Sequence, residues 1–129
     1  MSARSGTCIV VGASSGIGLA IARRLASSGR KVAMLARREA ELRPQVDLIN
    51  DTLGRKVAFA YVHDAGDIDN ADGLFARIEQ EHGEVDELHF VAGVMPDVGV
   101  DEFDLGKDRQ QVVVNMLGCI AWGNAAARR

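Results

Sequence analysis

Residues 10–26, VVGASSGIGLAIARRLA, join a β-branched run to an alanine-rich helical pattern through three glycines. Gly12 directly follows the predicted strand, and Gly16 and Gly18 open the predicted helix. At such a junction, unpaired helix N–H groups and the positive end of the helix dipole point at the turn. The stretch therefore predicts a strand–helix unit whose turn binds phosphate, although Ser-Ser-Gly before a helix is also consistent with a simple helix cap.

The rest of the chain continues the alternation of strand and helix patterns. Short apolar or β-branched runs predict strands at residues 7–11, 31–36, 56–62 and 87–92. Each strand is followed by a helical pattern with one apolar face. In chain order, the predicted faces of the four helices are Ile17, Ile21 and Leu25; Leu42, Val46, Ile49 and Leu53; Ala71, Leu74, Phe75 and Ile78; and Val112, Val113, Met116, Leu117 and Ile120. The first helix is predicted from about Ile17 to Ser28 and the last from about Arg109, after an irregular loop from Met95 to Asp108.

These units predict an α/β fold with a parallel sheet, because parallel strands need crossover helices that cover both faces. Right-handed crossovers favour a three-layer, doubly wound sheet of four strands in the order 3-2-1-4. A chain of 129 residues is long enough for one domain, predicted over residues 1–129.

The charge balance is mildly acidic, with 15 Lys and Arg against 18 Asp and Glu, which disfavours binding to nucleic acid or anionic lipid. Cys8 and Cys119 lie inside apolar runs without a C-x-x-C motif and are predicted to be buried thiols in a reducing compartment. No apolar run reaches the length of a membrane span or a signal peptide, so we expect a cytoplasmic protein.

Histidines and cysteines form no metal-ligand spacing, so no metal site is expected. His63 is interpreted as a turn residue, His82 as a cation at a helix end and His89 as a strand residue.

The glycine spacing G-x-x-x-G-x-G resembles the loop T-G-x-x-x-G-I-G of the short-chain dehydrogenase/reductase family, with Val11 in place of the Thr. The resemblance continues through residues 35–39, 63–67, 85–93 and 112–118, and covers the amino-terminal half of a family member. It implies a Rossmann-type dinucleotide-binding domain, truncated at its carboxyl end, from an oxidoreductase acting on a carbonyl or alcohol substrate.

By this resemblance, most of the cofactor-binding residues follow the first, third and fourth strands: Gly12, Ser14, Ser15, Gly16, Ile17, Gly18, Asp64, Ala65, Ala92 and Gly93. Asp64 resembles the residue that accepts a hydrogen bond from adenine, but it is also explained as an ordinary turn residue before Gly66. At the fourth strand the family usually has Asn-Asn-Ala-Gly, whereas this chain has Phe90-Val91-Ala92-Gly93.

The end of the second strand bears on cofactor choice. A carboxylate there would bind the ribose 2′-OH of NAD, and a cation would bind the 2′-phosphate of NADP. Ala36 replaces the acid, and Arg37 and Arg38 follow, so the sequence predicts NADP(H) in preference to NAD(H). The alternative is that Arg37 and Arg38 only cap the strand end in water and bind no phosphate.

Of the family's catalytic tetrad, only Asn115 has a counterpart, and hydrogen bonding to neighbouring backbone is a simpler role for its amide. Tyr61 lies within a predicted strand, and Ala65 stands where Tyr-x-x-x-Lys would need a lysine. The resemblance thus implies an NADP(H)-binding part that is inactive alone; a non-catalytic module that senses NADP(H) or partners another subunit is the alternative. Such a chain would expose its fourth strand and last helix, so we expect a homo-oligomer or a partner chain there.

Overall fold

A computed structural model of the protein describes residues 6–94 and 98–128. The elements in chain order are β1 (Thr7–Val11), α1 (Gly16–Ser27), β2 (Val32–Ala36), α2 (Glu39–Leu53), β3 (Ala58–Val62), a 3-10 turn (Ile68–Asn70), α3 (Ala71–His82), β4 (Val85–Phe90), α4 (Leu105–Gln111), a π-helical segment (Val112–Gly118) and α5 (Cys119–Ala127). The last three are continuous, and together they are called the last helix below.

The four strands form one parallel sheet in the order β3-β2-β1-β4, as the sequence predicts. Ile9 in β1 lies beside Ala33 in β2 on one side and Leu88 in β4 on the other. The central strands β1 and β2 are buried along their whole length, which explains why all of their residues except Thr7 are apolar.

Alternate residues of β1 face opposite layers of the fold. Cys8 and Val10 pack with α1 and α2 on one face, while Ile9 and Val11 pack with α3 and the last helix on the other. This period of two is a property of extended backbone. The three-layer, doubly wound architecture predicted from the sequence is therefore confirmed.

The predicted apolar face of α1 is wrong in part. Ile17 is 71% exposed, whereas Leu19, Ala22 and Ala26 are buried against the sheet. Ile21 and Leu25 are partly buried and pack against this layer of the core as predicted, so only Ile17 of the predicted face points away from the sheet.

The last helix differs more strongly from its prediction. It begins at Leu105, inside the predicted Met95–Asp108 loop, of which residues 95–97 lie outside the described residues. Its buried positions are Val114, Gly118, Trp122 and Ala125. Most of the predicted face points outward: Val112, Met116, Leu117 and Ile120 are exposed, while Val113 is partly covered.

The two cysteines also differ. Cys8 is buried as predicted, but Cys119 is exposed because it lies on the outer side of the last helix. None of the helices in residues 6–94 and 98–128 is long and apolar enough to cross a bilayer.

Candidate functional site

A cleft of about 480 Å³ opens at the carboxyl ends of the four strands. Eleven predicted site residues line it: Gly12, Ser14, Ser15, Ile17, Gly18, Arg37, Arg38, Asp64, Ala65, Ala92 and Gly93. The remaining lining residues are Val11, Ala36, Glu41, His63, Val91, Val94 and Val114. Doubly wound sheets bind ligands in such a crevice outside the carboxyl ends of the strands.

Two glycines hold the turn between β1 and α1 in its compact shape. Gly12 has φ +92°, and a Cβ there would lie 2.6 Å from the backbone nitrogen of Ala92. At Gly18, a Cβ would collide with the carbonyl oxygen of Gly12. Only glycine therefore lets α1, the turn and the end of β4 approach each other this closely.

The N-terminus of α1 is open to a ligand. Gly16 has φ +57°, and a Cβ there would meet no atom within 4 Å. Ser15 at the N-cap makes no side-chain capping bond, and no acidic residue occupies the first turn. The helix-cap alternative is therefore not what the structure shows, and the first N–H groups of α1 are available to an anion.

Arg37 and Arg38 lie where β2 ends, and both are exposed on the wall of the cleft. Arg38 Nη1 donates to Glu41 Oε1 over 3.1 Å. Sequence reasoning did not assign Glu41, although its position three residues after Arg38 on a predicted helix was a usable signal.

Asp64 is a turn residue beside the cleft, as one of the two sequence interpretations has it, and its contact with adenine stays a prediction. It lines the cleft after β3, and its Oδ1 accepts a hydrogen bond from the backbone N–H of Gly66 at 2.8 Å. The aspartate is thus fixed as a turn residue while its carboxylate remains exposed beside the cleft.

Asn115 does not line the cleft but clamps one of its walls. Its Nδ2 donates to the Val94 carbonyl over 2.9 Å, and its Oδ1 accepts from the Val94 N–H over 2.8 Å. The amide is exposed and not buried in an apolar helix. Hydrogen bonding to backbone, the simpler of the two sequence interpretations, is therefore what the side chain does, and a catalytic role stays a prediction.

Sequence reasoning missed the role of His63. Its side chain is buried and lines the cleft, and its Nε2 accepts a hydrogen bond from the indole N–H of Trp122 at 3.3 Å. The rings meet edge to face, with centroids 5.3 Å apart. His63 is therefore a link between the cleft and the last helix, and not only a turn residue.

Burial lowers the pKa of His63, and the nearby Asp67 and Asp64 only partly oppose this effect. The unfolded chain takes up the proton more readily, so stability is lost as pH falls through the ordinary histidine value of 6.5. In His63→Gln, whose amide oxygen can still accept from Trp122, the loss of stability between pH 7.5 and 5.5 should be smaller than in the original chain, by at most about 1.4 kcal/mol. Urea unfolding at both pH values measures it; an unchanged pH dependence would contradict the assignment.

The other two histidines lie away from the cleft. Burial lowers the pKa of His82 at the end of α3, which disfavours the predicted helix-end cation; the ring lies against Phe59, with ring centroids 4.0 Å apart and planes tilted by 30°. His89 lies in β4 as predicted and bonds to Glu87. Among the described residues, no group of three or more His, Cys, Asp or Glu side chains could hold a metal.

Tyr61 is buried in β3 and does not line the cleft. Its hydroxyl is hydrogen-bonded to Glu81 and lies 2.6 Å from His82 Nε2. Burial raises the pKa of Tyr61, and the hydrogen bond to Glu81 raises it further. This environment opposes phenolate formation, so Tyr61 is unsuited to proton transfer near neutral pH.

The cleft combines an uncapped helix N-terminus, a glycine turn, two arginines and an exposed aspartate on neighbouring strands. This donor set fits a ligand with a phosphate at the turn and a second anionic group beside β2. The small Ala92 and Gly93 keep the β4 side of the cleft open.

Comparison with known proteins places the chain in a family. A family model described as short chain dehydrogenase matches residues 6–129. A short chain dehydrogenase of Pseudocercospora fijiensis is 42% identical over 88 residues, covering 68% of this chain and 28% of that protein.

Solved structures match over a longer stretch. A short chain dehydrogenase from Burkholderia cenocepacia in complex with NADP has a TM-score of 0.86 and 31% identity, over 96% of this chain and 50% of that one. A variant of actinorhodin polyketide ketoreductase, solved with NADPH, has a TM-score of 0.84 and 30% identity, over 94% of this chain and 46% of that one. The chain therefore spans half or less of the length of these proteins.

Proposed function

The chain belongs to the short-chain dehydrogenase family, and on that premise we propose that it is the NADP(H)-binding part of an oxidoreductase acting on a carbonyl or alcohol substrate. The observation that carries the proposal is the cleft itself, where the glycine turn, an uncapped α1 and Arg37 line one cavity. Similar chains that were solved with NADP or NADPH support it.

Each part of the cleft has a proposed role. The turn from Gly12 to Gly18 and the first N–H groups of α1 hold the pyrophosphate, with Ser14 and Ser15 donating hydroxyl hydrogen bonds. Asp64 and Ala65 hold the adenine, while Ala92 and Gly93 leave room for the ribose. The nicotinamide, when bound, supplies the hydride chemistry.

We expect Arg37→Ala to weaken NADP⁺ binding by about 10- to 100-fold, because a charge-assisted contact to the 2′-phosphate is lost. NAD⁺, which lacks that phosphate, should bind within about threefold of its original affinity. Titration calorimetry with both cofactors measures the difference. Arg43→Ala is the control, since Arg43 pairs with Glu39 away from the cleft. Equal losses of affinity for the two cofactors, or tighter binding of NAD⁺ by the original chain, would contradict the assignment of Arg37 to the 2′-phosphate.

Of the family's catalytic tetrad, only Asn115 has a counterpart in residues 1–129. Tyr61 is committed to Glu81 and His82 outside the cleft. We therefore propose that residues 1–129 bind the cofactor without turning over a substrate. The catalytic Ser and Tyr-x-x-x-Lys must then be supplied by another stretch of protein.

A non-catalytic module that senses NADP(H) or partners another subunit is the second candidate. The observation in its favour is that Asn115 uses both polar atoms of its amide on Val94. The gene sequence beyond residue 129 separates the two: a reading frame that encodes Tyr-x-x-x-Lys supports the enzyme, and a stop without one supports the module.

We also propose self-association or a partner chain at the exposed side of the last helix and the neighbouring β4 edge. Val112, Met116 and Ile120 are 47%, 55% and 50% exposed on that helix, and exposed apolar patches commonly mark interfaces. If the chain self-associates, light scattering over a range of concentrations should give a mass above the 13.8 kDa of one chain. If it binds a partner chain, the mass should exceed 13.8 kDa only when that partner is present. A monodisperse monomer at high concentration would refute self-association.

A further inference from the structure

Glu41 is a carboxylate inside the proposed phosphate end of the cleft. It lies in the first turn of α2 and lines the cleft with Arg37 and Arg38. Its Oε1 accepts from Arg38 Nη1 at 3.1 Å, so the charge of Arg38 is partly neutralised.

Arg37 stands in contrast to Arg38. No ion pair with Arg37 is found in the stretches 6–94 and 98–128, and its exposed side chain lines the same cleft. The two adjacent arginines therefore have different environments in the folded protein, because Arg38 pairs with Glu41.

The formal charges along the cleft cancel. Arg37 and Arg38 contribute two positive charges, and Glu41 and Asp64 contribute two negative ones. A ligand with several phosphate charges thus enters a neutral cleft, and Glu41 is the acid in direct contact with an arginine.

We propose that Glu41 sets the strength of the cofactor preference, by occupying Arg38 and leaving Arg37 as the free anchor for the 2′-phosphate. The inference rests on the proposed function, since it requires that NADP(H) binds in this cleft. An exposed ion pair is weak and screened by salt, so Glu41 limits the contribution of Arg38 without abolishing it.

The test is Glu41→Gln, with NADP⁺ and NAD⁺ titrated into each variant at 0.15 M salt. Glu39→Gln is the matched control, because Glu39 lies in the same first turn and pairs with Arg43 outside the cleft. Both changes remove one negative charge near the N-terminus of α2 and weaken the helix equally. The ratio of NADP⁺ to NAD⁺ affinity should rise about three- to tenfold in Glu41→Gln and stay within about twofold in Glu39→Gln.

Arg38→Ala gives an independent arm. It should weaken NADP⁺ binding less than Arg37→Ala does in the original chain, and about as much once Glu41→Gln is also present. Equal behaviour of Glu41→Gln and Glu39→Gln, in a chain that does prefer NADP⁺, overturns this inference alone. A chain that binds neither cofactor, or binds NAD⁺ more tightly, overturns the proposed function and the inference with it.

Discussion

Trp122→Ala is expected to lower the free energy of unfolding by about 3–5 kcal/mol, the range for emptying a large aromatic site in a core. Trp122 is fully buried and packs against Phe75, with ring centroids 6.4 Å apart. Its loss also leaves the buried His63 Nε2 without the indole donor. Few single changes in a domain of this size cost more.

Urea unfolding followed by circular dichroism measures this effect, and Ile120→Ala is the matched control. Ile120 lies on the same helix but is 50% exposed, so its truncation should cost less than about 1 kcal/mol. If the two variants lose similar stability, the last helix does not pack through Trp122, and its buried face is assigned wrongly.

Gly18→Ala is expected to destabilise the protein by about 1–3 kcal/mol and to abolish cofactor binding. Alanine normally stabilises a helix relative to glycine, but here the new methyl group collides with the Gly12 carbonyl oxygen. Backbone cannot move aside as a flexible side chain does, so α1 must shift away from the turn and the phosphate cradle opens. Thermal melting and calorimetric titration with NADP⁺ report the two effects.

Gly73→Ala is the control for Gly18→Ala. Gly73 lies in α3, and a Cβ there would meet no atom within 4 Å. This change should raise stability by about 0.4–1 kcal/mol and leave NADP⁺ binding unchanged. A Gly18→Ala variant that behaves like Gly73→Ala would show that the close approach of α1 to the turn is not required.

The sheet could be predicted because its signals are local. Each strand is a short apolar run followed by a helical pattern, and the handedness of crossovers then limits the strand order. The start of β4 was missed, because the predicted strand begins at Glu87 whereas β4 begins at Val85 and so also contains Asp86. These acids are tolerated because the buried Arg30 is hydrogen-bonded to both, a contact across more than fifty residues that sequence periodicity does not reveal.

The last helix shows where periodicity fails. Its π-helical segment, Val112–Gly118, has a wider turn than an α-helix, which rotates the following residues relative to a 3.6-residue pattern. Gly118 can lie against the Ala65 carbonyl because it has no side chain: a Cβ there would come within 2.7 Å of that oxygen. The buried face consequently includes small residues that a search for large aliphatic side chains passes over.

The candidate site was readable where its residues follow strand ends, since the carboxyl ends of parallel strands share one edge of the sheet. The sequence therefore identified Arg37 and Asp64 as neighbours of the glycine turn, and both line the same cleft. It did not identify the supporting contacts of Trp122 with His63 or of Asn115 with Val94, because both join residues far apart in the chain.

The central claim, that NADP(H) binds in the cleft at the carboxyl ends of the strands, is tested most directly by titrating NADP⁺ into the ¹⁵N-labelled chain and following its amide resonances. The account predicts saturable shifts at residues 12–18, 64–66 and 92–94, with no comparable change around Tyr61 and His82, which lie outside the cleft. Shifts confined to the region of Tyr61 and His82, or no saturable shifts at millimolar NADP⁺, would contradict it.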